Sequence, residues 1–403
     1  MRPAKKSEKA VATNYTNHAN SHEFVIVRAI RAIRGQIRFR LRHLLSSPNK
    51  KEESTVCDVK RREMLIGGAA LLGLSMKEAK ALVAAARPEV GKVDPLAPEV
   101  YFHEGNLVKG HCNNGWVIFE DYVLVIDANY PSGAAEILPK IRALTDKPIR
   151  FAFDTHHHGD HAYGNQVWVE NGATPVAHTG VIDEMKKYET GYYGGNPGRW
   201  EGAAKARADL AATKLKPPSV LFPREMVFDD GKHRVELMHL GVAHTHGDAF
   251  AWLPKERILF TGDACVNGPY NFVGDGDVEK WVATLEAARK LGAQVVCPGH
   301  GPRGVDTVLA DQQKYFKSLR ERVGALVKAK KPAQDVRDSI EKMSAELSAD
   351  AQIVRYVGKG NGFASQVEKV YTEMTGQQLP AAKKTARSVR DWHALSHGLD
   401  SLG

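Results

Sequence analysis

A dense group of metal-binding residue types follows a short apolar strand, and it constrains the fold more than any other feature. The apolar run Ile149–Phe153 leads directly into Asp-Thr-His-His-His-Gly-Asp-His at residues 154–161. The residues at the spacing H-x-H-x-D-H are His156, His158, Asp160 and His161. Imidazole nitrogen is the commonest zinc ligand, and carboxylate oxygen suits the same ion. The first two histidines can face one ion while the last two residues face a neighbour, so the pattern predicts a site for two divalent ions.

Three later segments end predicted strands with the same residue types. They are Gly-Val-Ala-His at 241–244, Thr-Gly-Asp at 261–263 and Pro-Gly-His-Gly at 298–301. Rigid strands commonly position functional side chains on the loops at their ends. We therefore expect His244, Asp263 and His300 to complete the metal site.

The chain alternates between strand-like and helix-like segments. The predicted strands are Val100–His103, Leu107–Cys112, Trp116–Glu120, Tyr122–Asp127, Ile149–Phe153, Glu225–Phe228, Arg234–Leu240, Asp248–Leu253, Ile258–Thr261 and Gln294–Cys297. Helices are predicted at Ser132–Leu144, within 179–218, at Val278–Leu291, from 302 to 327, at Gln334–Leu347 and at Gly362–Met374. This alternation predicts a mixed α/β (α+β) fold in which two sheets pack face to face with helices outside.

Taken together, these motifs resemble the metallo-β-lactamase-fold hydrolase superfamily over about residues 98–330. The resemblance implies a four-layer αβ/βα sandwich with two Zn²⁺ ions at one edge between the sheets. By the same resemblance, one zinc is held by His156, His158 and His244, the second by Asp160, His161 and His300, and Asp263 bridges them.

The resemblance also implies the chemistry. Two zinc ions sharing a water lower its pKa towards 7, so a metal-bridging hydroxide would cleave an ester, thioester, lactone or β-lactam in a small molecule. Asp160 is the candidate catalytic residue, as a proton shuttle. Families that destroy β-lactams usually carry Cys or Ser where this chain has Asp263, whereas a bridging Asp is more similar to glyoxalase II and lactonases. Flavodiiron relatives carry Glu in place of His158.

Three other functions remain open at this stage. A mononuclear iron, persulfide-type dioxygenase of the same fold would use two histidines and one aspartate to oxidise sulfur. A nuclease and a non-catalytic scaffold are the remaining alternatives. The distribution of charge argues against a nuclease. Residues 1–63 contain 15 Lys and Arg against 6 Asp and Glu, whereas residues 64–403 contain 41 basic and 41 acidic residues and so have no net charge. A neutral body is a poor nucleic-acid binder, so we expect no nucleic-acid partner.

The N-terminal region resembles a twin-arginine export signal. Arg61 and Arg62 stand before the apolar run Met64–Leu74, which is too short for a stable membrane anchor, and small residues precede Arg87. The alternative is a short buried helix after a basic turn. The signal predicts contact with the export machinery and a periplasmic or secreted location.

These features divide the chain into five predicted segments. They are a disordered extension or over-extended gene start at 1–58, the signal at 59–86, the catalytic domain at 87–330, a C-terminal helical extension at 331–382 and a polar tail at 383–403.

Several residues near the motifs have secondary predicted roles. Thr155, Thr245 and Asp248 are candidates to orient imidazole N–H groups. His157 and His246 are neighbours of ligands and are expected to point away, towards the surface. The aromatic segments 188–200 and 266–276 are candidates for walls of the substrate groove.

Overall fold

The computed structural model describes residues 91–188, 198–358 and 361–381. All of them belong to the unit Ala84–Gly403. The predicted N-terminal extension, export signal and polar tail lie outside the described residues.

The described residues form two sheets, and seven strands make up the first. They are β1 (Val93–Ala97), β2 (Val100–His103), β3 (Asn114–Ile118), β4 (Val123–Ile126), β5 (Ile149–Asp154), β6 (Thr174–His178) and β7 (Val220–Phe222). Their order in the sheet follows the sequence. Pairing is antiparallel from β1 to β4 and parallel from β4 to β7.

Five strands form the second sheet. They are β8 (Glu225–Asp229), β9 (Arg234–Met238), β10 (Phe250–Leu253), β11 (Ile258–Gly262) and β12 (Val295–Pro298), in the order β12-β11-β10-β9-β8. The pairs from β8 to β11 are antiparallel, and β12 runs parallel to β11.

Helices connect and cover the sheets. The α-helices are α1 (Pro131–Arg142), α2 (Gly159–Ala162), α3 (Asn165–Glu170), α4 (Thr179–Met185), α5 (Arg199–Ala206), α6 (Ala208–Ala211), α7 (Val278–Lys290), α8 (Thr307–Lys328), α9 (Ala333–Asp338), α10 (Ile340–Ser348) and α11 (Asn361–Thr375). Short 3₁₀ turns lie at Leu107–Lys109, Lys186–Tyr188 and Val354–Tyr356.

The two sheets bury one shared apolar layer. Alternate residues of a strand face opposite sides of a sheet, and Leu124 and Ile126 of β4 point towards the second sheet while Val123 and Val125 point away from it. Phe260 of β11 lies in the same layer between the sheets. Every residue of β4 is buried because both faces of its sheet are covered.

Helices close both outer faces. Ile137 of α1 and Trp168 of α3 pack on the first sheet. On the second sheet, the Trp281 ring of α7 lies 4.6 Å from the Phe316 ring of α8, and this cluster continues to Tyr371 of α11. The layers are therefore helix, sheet, sheet and helix, which confirms the predicted four-layer α/β sandwich. The helices after residue 330 share the core of the second sheet.

Some predicted elements differ from the structure. Leu107–Cys112 is not a strand, because the Asn106 side chain accepts from the backbone N–H groups of Val108 and Lys109 and so favours a 3₁₀ turn. The sequence analysis also missed the short strands β1, β6 and β7. Among the described residues, no helix is both long and apolar enough to cross a bilayer.

The layer between the sheets should dominate stability. We expect Phe260→Ala to lower the free energy of unfolding by about 3–5 kcal/mol, because it opens a cavity where both sheets meet. Chemical denaturation followed by tryptophan fluorescence measures this loss. Val227→Thr, at a β8 position that is 39% exposed, is the matched control and should change stability by less than about 1 kcal/mol. Equal losses in the two variants would contradict this account of the core.

Candidate metal centre

The seven predicted ligands come together at one edge of the two sheets. His156 and His158 follow β5, with Asp160 and His161 in the short helix α2 directly after them. The other three lie in loops at strand ends of the second sheet: His244 before β10, Asp263 after β11 and His300 after β12. Six of the seven are buried, and the His300 side chain is 12% exposed.

Three histidines form the first donor group. One ring nitrogen from each of His156, His158 and His244 lies within 4.8 Å of those of the other two. For two of these rings, a hydrogen bond from the nitrogen that faces away from the group assigns the tautomer. His244 Nδ1 donates to the Phe272 carbonyl at 2.9 Å, and His158 Nε2 donates to the Asp275 carboxylate at 2.9 Å.

These assignments leave two lone pairs facing each other. When both rings are neutral each carries one N–H, and these bonds then leave His158 Nδ1 and His244 Nε2, 2.7 Å apart, with no proton between them. His156 Nε2 is also buried and without a hydrogen-bond partner among the described residues, while His156 Nδ1 lies 3.1 Å from the Thr155 hydroxyl. Either a proton or a metal ion must lie where these nitrogens converge, and three imidazole nitrogens are a ligand set that fits a bound metal ion.

The second donor group is acidic. Asp160 Oδ2 lies 3.0 Å from His300 Nε2 and 3.5 Å from His161 Nε2. Asp263 lies between the two groups, because Oδ1 is 3.4 Å from His161 Nε2 while Oδ2 is 3.4 Å from His300 Nε2 and 3.7 Å from His244 Nε2. This is the position that a carboxylate bridging two ions would occupy.

Electrostatics differ between the two groups. Burial and the neighbouring imidazoles hold the pKa of His156 well below its usual value, so the ring is neutral and able to bind metal. Burial alone would also lower the pKa of His300, but the carboxylates of Asp263 and Asp160 raise it to about 9. Burial would raise the pKa of Asp263, yet His300 and His161 keep it well below its usual value. The carboxylates of the second group therefore favour positive charge on the imidazoles beside them, which is the charge that a bound cation would supply.

Glycines allow the loops to approach each other closely. Gly262 has a positive φ of 50°, and a Cβ there would collide with the Thr155 hydroxyl. A Cβ on Gly299 would collide with the Asp263 carboxylate. The Thr-Gly-Asp and Pro-Gly-His-Gly sequences thus place their ligands where larger residues would hold the backbones apart.

Asp127 is a functional residue that the sequence analysis missed. It follows β4, with φ of 65°. Its Oδ1 accepts from the backbone N–H and hydroxyl of Thr155, and its Oδ2 lies 3.0 Å from His161 Nδ1. It therefore lies close to one ligand and supports the threonine beside another. A polar residue that ends an apolar strand was the available sequence signal.

Asp275 is the second missed residue. Besides the bond from His158, it accepts from Lys187 Nζ at 2.8 Å and from Arg199 Nη1 at 2.7 Å. Burial alone would raise the pKa of Asp275, but hydrogen bonds from His157 and His158 and the nearby guanidinium hold it well below its usual range. Asp275 thus stays ionised and fixes the His158 tautomer.

The prediction that His157 points to the surface is wrong. Its side chain is fully buried, with Nε2 3.6 Å from Asp275 and 3.7 Å from Glu184, and the Tyr188 hydroxyl donates to its carbonyl oxygen. Glu184, Tyr188 and Arg199 cover the side that was expected to meet solvent. His246, in contrast, is exposed as predicted.

Other candidates lie at the edge of the centre or away from it. Thr155 contacts His156 as proposed, whereas Thr245 donates to Asp248 at 2.7 Å within a local turn. The Tyr270 ring lies 5.9 Å from His300 and the Phe272 ring 5.5 Å from His158, so both border the centre. Residues 189–197 of the other candidate wall lie outside the described residues.

The Asp275 contacts predict a role in metal binding. We expect Asp275→Asn to weaken zinc binding about 10- to 100-fold, because the variant leaves Lys187 and Arg199 without their shared carboxylate and no longer fixes the His158 tautomer. Titration against a chromophoric chelator measures the affinity. Asp277→Asn is the matched control, because Asp277 caps α7 by accepting from the Lys280 N–H and Asn caps equally well. Wild-type affinity in Asp275→Asn would rule out this role.

Comparisons with known proteins find partial similarity to this chain. A beta-lactamase-like protein 2 homolog from Caenorhabditis elegans is 25% identical over 221 residues, which cover 53% of this chain and 63% of that protein. This chain therefore spans less than two thirds of that relative. Among solved structures, the metallo-beta-lactamase from Pontibacter korlensis is 18% identical with a TM-score of 0.45, covering 56% of this chain and 98% of that one. The DIM-1 metallo-beta-lactamase exposed to ceftazidime is 20% identical, also with a TM-score of 0.45, covering 57% and 98%.

The stretch of chain that matches a family model carries the whole set of candidate ligands. Residues 108–300 match the model of the metallo-beta-lactamase superfamily, and this range contains every one of the seven candidate ligands. Residues 108–300 of this chain are therefore a metallo-beta-lactamase superfamily domain.

Proposed function

We propose that this chain is an exported, zinc-dependent hydrolase that uses two metal ions to cleave an ester, thioester, lactone or β-lactam in a small molecule. The observation that carries the proposal is the pair of lone pairs on His158 and His244 at 2.7 Å, with a second, carboxylate-rich donor group beside it. Two adjacent donor sets joined by Asp263 support two ions.

The residues would divide the work as follows. His156, His158 and His244 would hold one ion, and Asp160, His161 and His300 the other, with Asp263 shared. Bound zinc supplies Lewis-acid polarisation of a carbonyl and lowers the pKa of water. Asp160, 3.0 Å from His300 Nε2, is the candidate to hold and move a proton at its carboxylate. Asp127 and Asp275 keep the imidazoles in the tautomers that the ions need.

The aromatic residues that border the centre favour a small organic substrate. Tyr270 and Phe272 provide aromatic surface next to His300 and His158, which suits an organic group beside a hydrolysed bond. The near-neutral charge of residues 64–403 supports the absence of a nucleic-acid partner.

The mononuclear iron dioxygenase is the less favoured function. It needs two histidines and one aspartate, and the second donor group would then be surplus. Asp160 and His161 are instead buried, and their ligand atoms lie within 4.8 Å of each other and of His300, which fits a second bound cation.

Metal content and hydrolysis test the proposal together. We expect the purified full chain to contain about two zinc ions, to hydrolyse at least one of nitrocefin, a thioester and a lactone, and to lose turnover after chelation. Asp263→Asn should lower turnover at least about 100-fold, because one shared carboxylate charge is removed while side-chain size is kept. Elemental analysis and initial rates measure both quantities. One iron per chain with oxygen uptake and no hydrolysis would overturn the proposal in favour of sulfur oxidation.

Export has its own test. In a bacterium with a twin-arginine pathway, we expect replacement of Arg61 and Arg62 together by Lys to leave the unprocessed chain in the cytoplasm, whereas Lys60→Gln, which keeps the arginine pair, should not. Cell fractionation and immunoblotting measure the distribution. Equal export of both variants would refute the twin-arginine assignment.

A further inference from the structure

The loop 266–277, between Asp263 and α7, contacts two of the three histidines in the first donor group. The Phe272 carbonyl accepts from His244 Nδ1, and the Asp275 carboxylate accepts from His158 Nε2, both at 2.9 Å. These two bonds set the tautomers that leave lone pairs facing the metal position. Any displacement of the loop would therefore change both ligands together.

Buried amides from the C-terminal helices hold this loop at Asn271, the residue before Phe272. Gln312 Nε2 of α8 donates to Asn271 Oδ1 at 2.9 Å, and Gln366 Nε2 of α11 donates to the Asn271 carbonyl at 2.9 Å. Asn271 Nδ2 in turn donates to the Tyr356 carbonyl at 3.3 Å. All three side-chain amides are at least 95% buried.

The side-chain amide of each glutamine is hydrogen-bonded at its oxygen as well as at its nitrogen. Gln312 Oε1 accepts from the Val266 N–H at 3.0 Å, at the start of the loop, and Gln366 Oε1 accepts from the Tyr315 hydroxyl. A satisfied buried network fixes one conformation, because any shift leaves a buried polar group unpaired at a cost of about 1–3 kcal/mol. The network thus fixes the loop against α8 and α11.

We propose that Gln312 and Gln366 are positioning residues for the metal centre, acting through Asn271 on the Phe272 carbonyl and through it on His244. The inference rests on the proposed metal-dependent function. By this proposal, α8 and α11 support the three-histidine group. Both helices follow residue 300 and lie outside the matched family region.

Cobalt binding tests the proposal without reference to any substrate. The metal-free full chain is titrated with Co²⁺, and the visible d–d absorption reports ligand geometry at each ion. We expect Gln312→Leu and Gln366→Leu each to weaken the first Co²⁺ about 10-fold or more and to alter the d–d bands. Gln366→Asn, which keeps the amide but withdraws it by one methylene, should give a smaller change in the same direction.

Gln313→Leu is the matched control. Gln313 is similarly buried on the same helix, but it donates to the Val282 carbonyl and to Glu286 on α7, and within the described residues it makes no hydrogen bond to the loop. It should keep wild-type Co²⁺ affinity and spectrum. Thermal melting of each metal-free variant identifies those that remain folded. If the leucine variants do not fold, Gln366→Asn provides the test.

The outcomes separate the two proposals. Wild-type affinity and spectrum in folded Gln366 variants, or equal losses in Gln313→Leu, would overturn the positioning role while leaving the metal centre intact. A wild-type chain that takes up no Co²⁺ or Zn²⁺ would overturn the proposed function and, with it, this inference.

Discussion

The close approach of His158 Nδ1 and His244 Nε2, at 2.7 Å, is the constraint on which the centre depends, because two neutral rings in these tautomers would repel each other through their lone pairs. One ring follows a strand of the first sheet and the other precedes a strand of the second. A cation bound by both rings would therefore join the edges of both sheets. The surrounding hydrogen bonds, from Asp275 on one side and the Phe272 carbonyl on the other, hold the rings in the tautomers that produce the repulsion.

The two donor groups are chemically unequal. The three-histidine group presents neutral imidazoles, whereas the second group contains Asp160 and shares Asp263. An ion held by neutral nitrogens keeps more of its charge than one held by carboxylates. In the proposed hydrolase, an ion at the first position would therefore polarise a substrate carbonyl, and the second group would hold a proton-accepting carboxylate close to the reacting bond.

Much of the centre was predictable because its ligands are local in sequence or follow apolar strands. The H-x-H-x-D-H spacing and the strand ends before His244, Asp263 and His300 were sufficient to predict which side chains meet. The sequence could not predict the role of Asp275 or the burial of His157, because both depend on contacts with Lys187 and Arg199 from another part of the chain. The prediction for His157 assumed solvent on the side where these residues lie.

Secondary structure was hardest to predict where a side chain hydrogen-bonds to the backbone, and where a strand is short or contains proline. Leu107–Lys109 has strand-like residues, but the Asn106 side chain offers the backbone an alternative partner. Strand β6 contains Pro175, which is unfavourable in most strands, and β7 is only three residues long. These strands form because the neighbouring strand of a parallel sheet supplies their partners, and no local pattern records that.

The origin of the ligands has a consequence for the order of folding. The seven side chains come from positions 156 to 300, and the four loops that carry them lie on both sheets. No single hairpin or helix pair holds either donor group, so a nascent chain has no high-affinity site until the long-range strand pairing is complete. In the proposed metalloenzyme, metal uptake would therefore follow assembly of the sandwich and would not nucleate it.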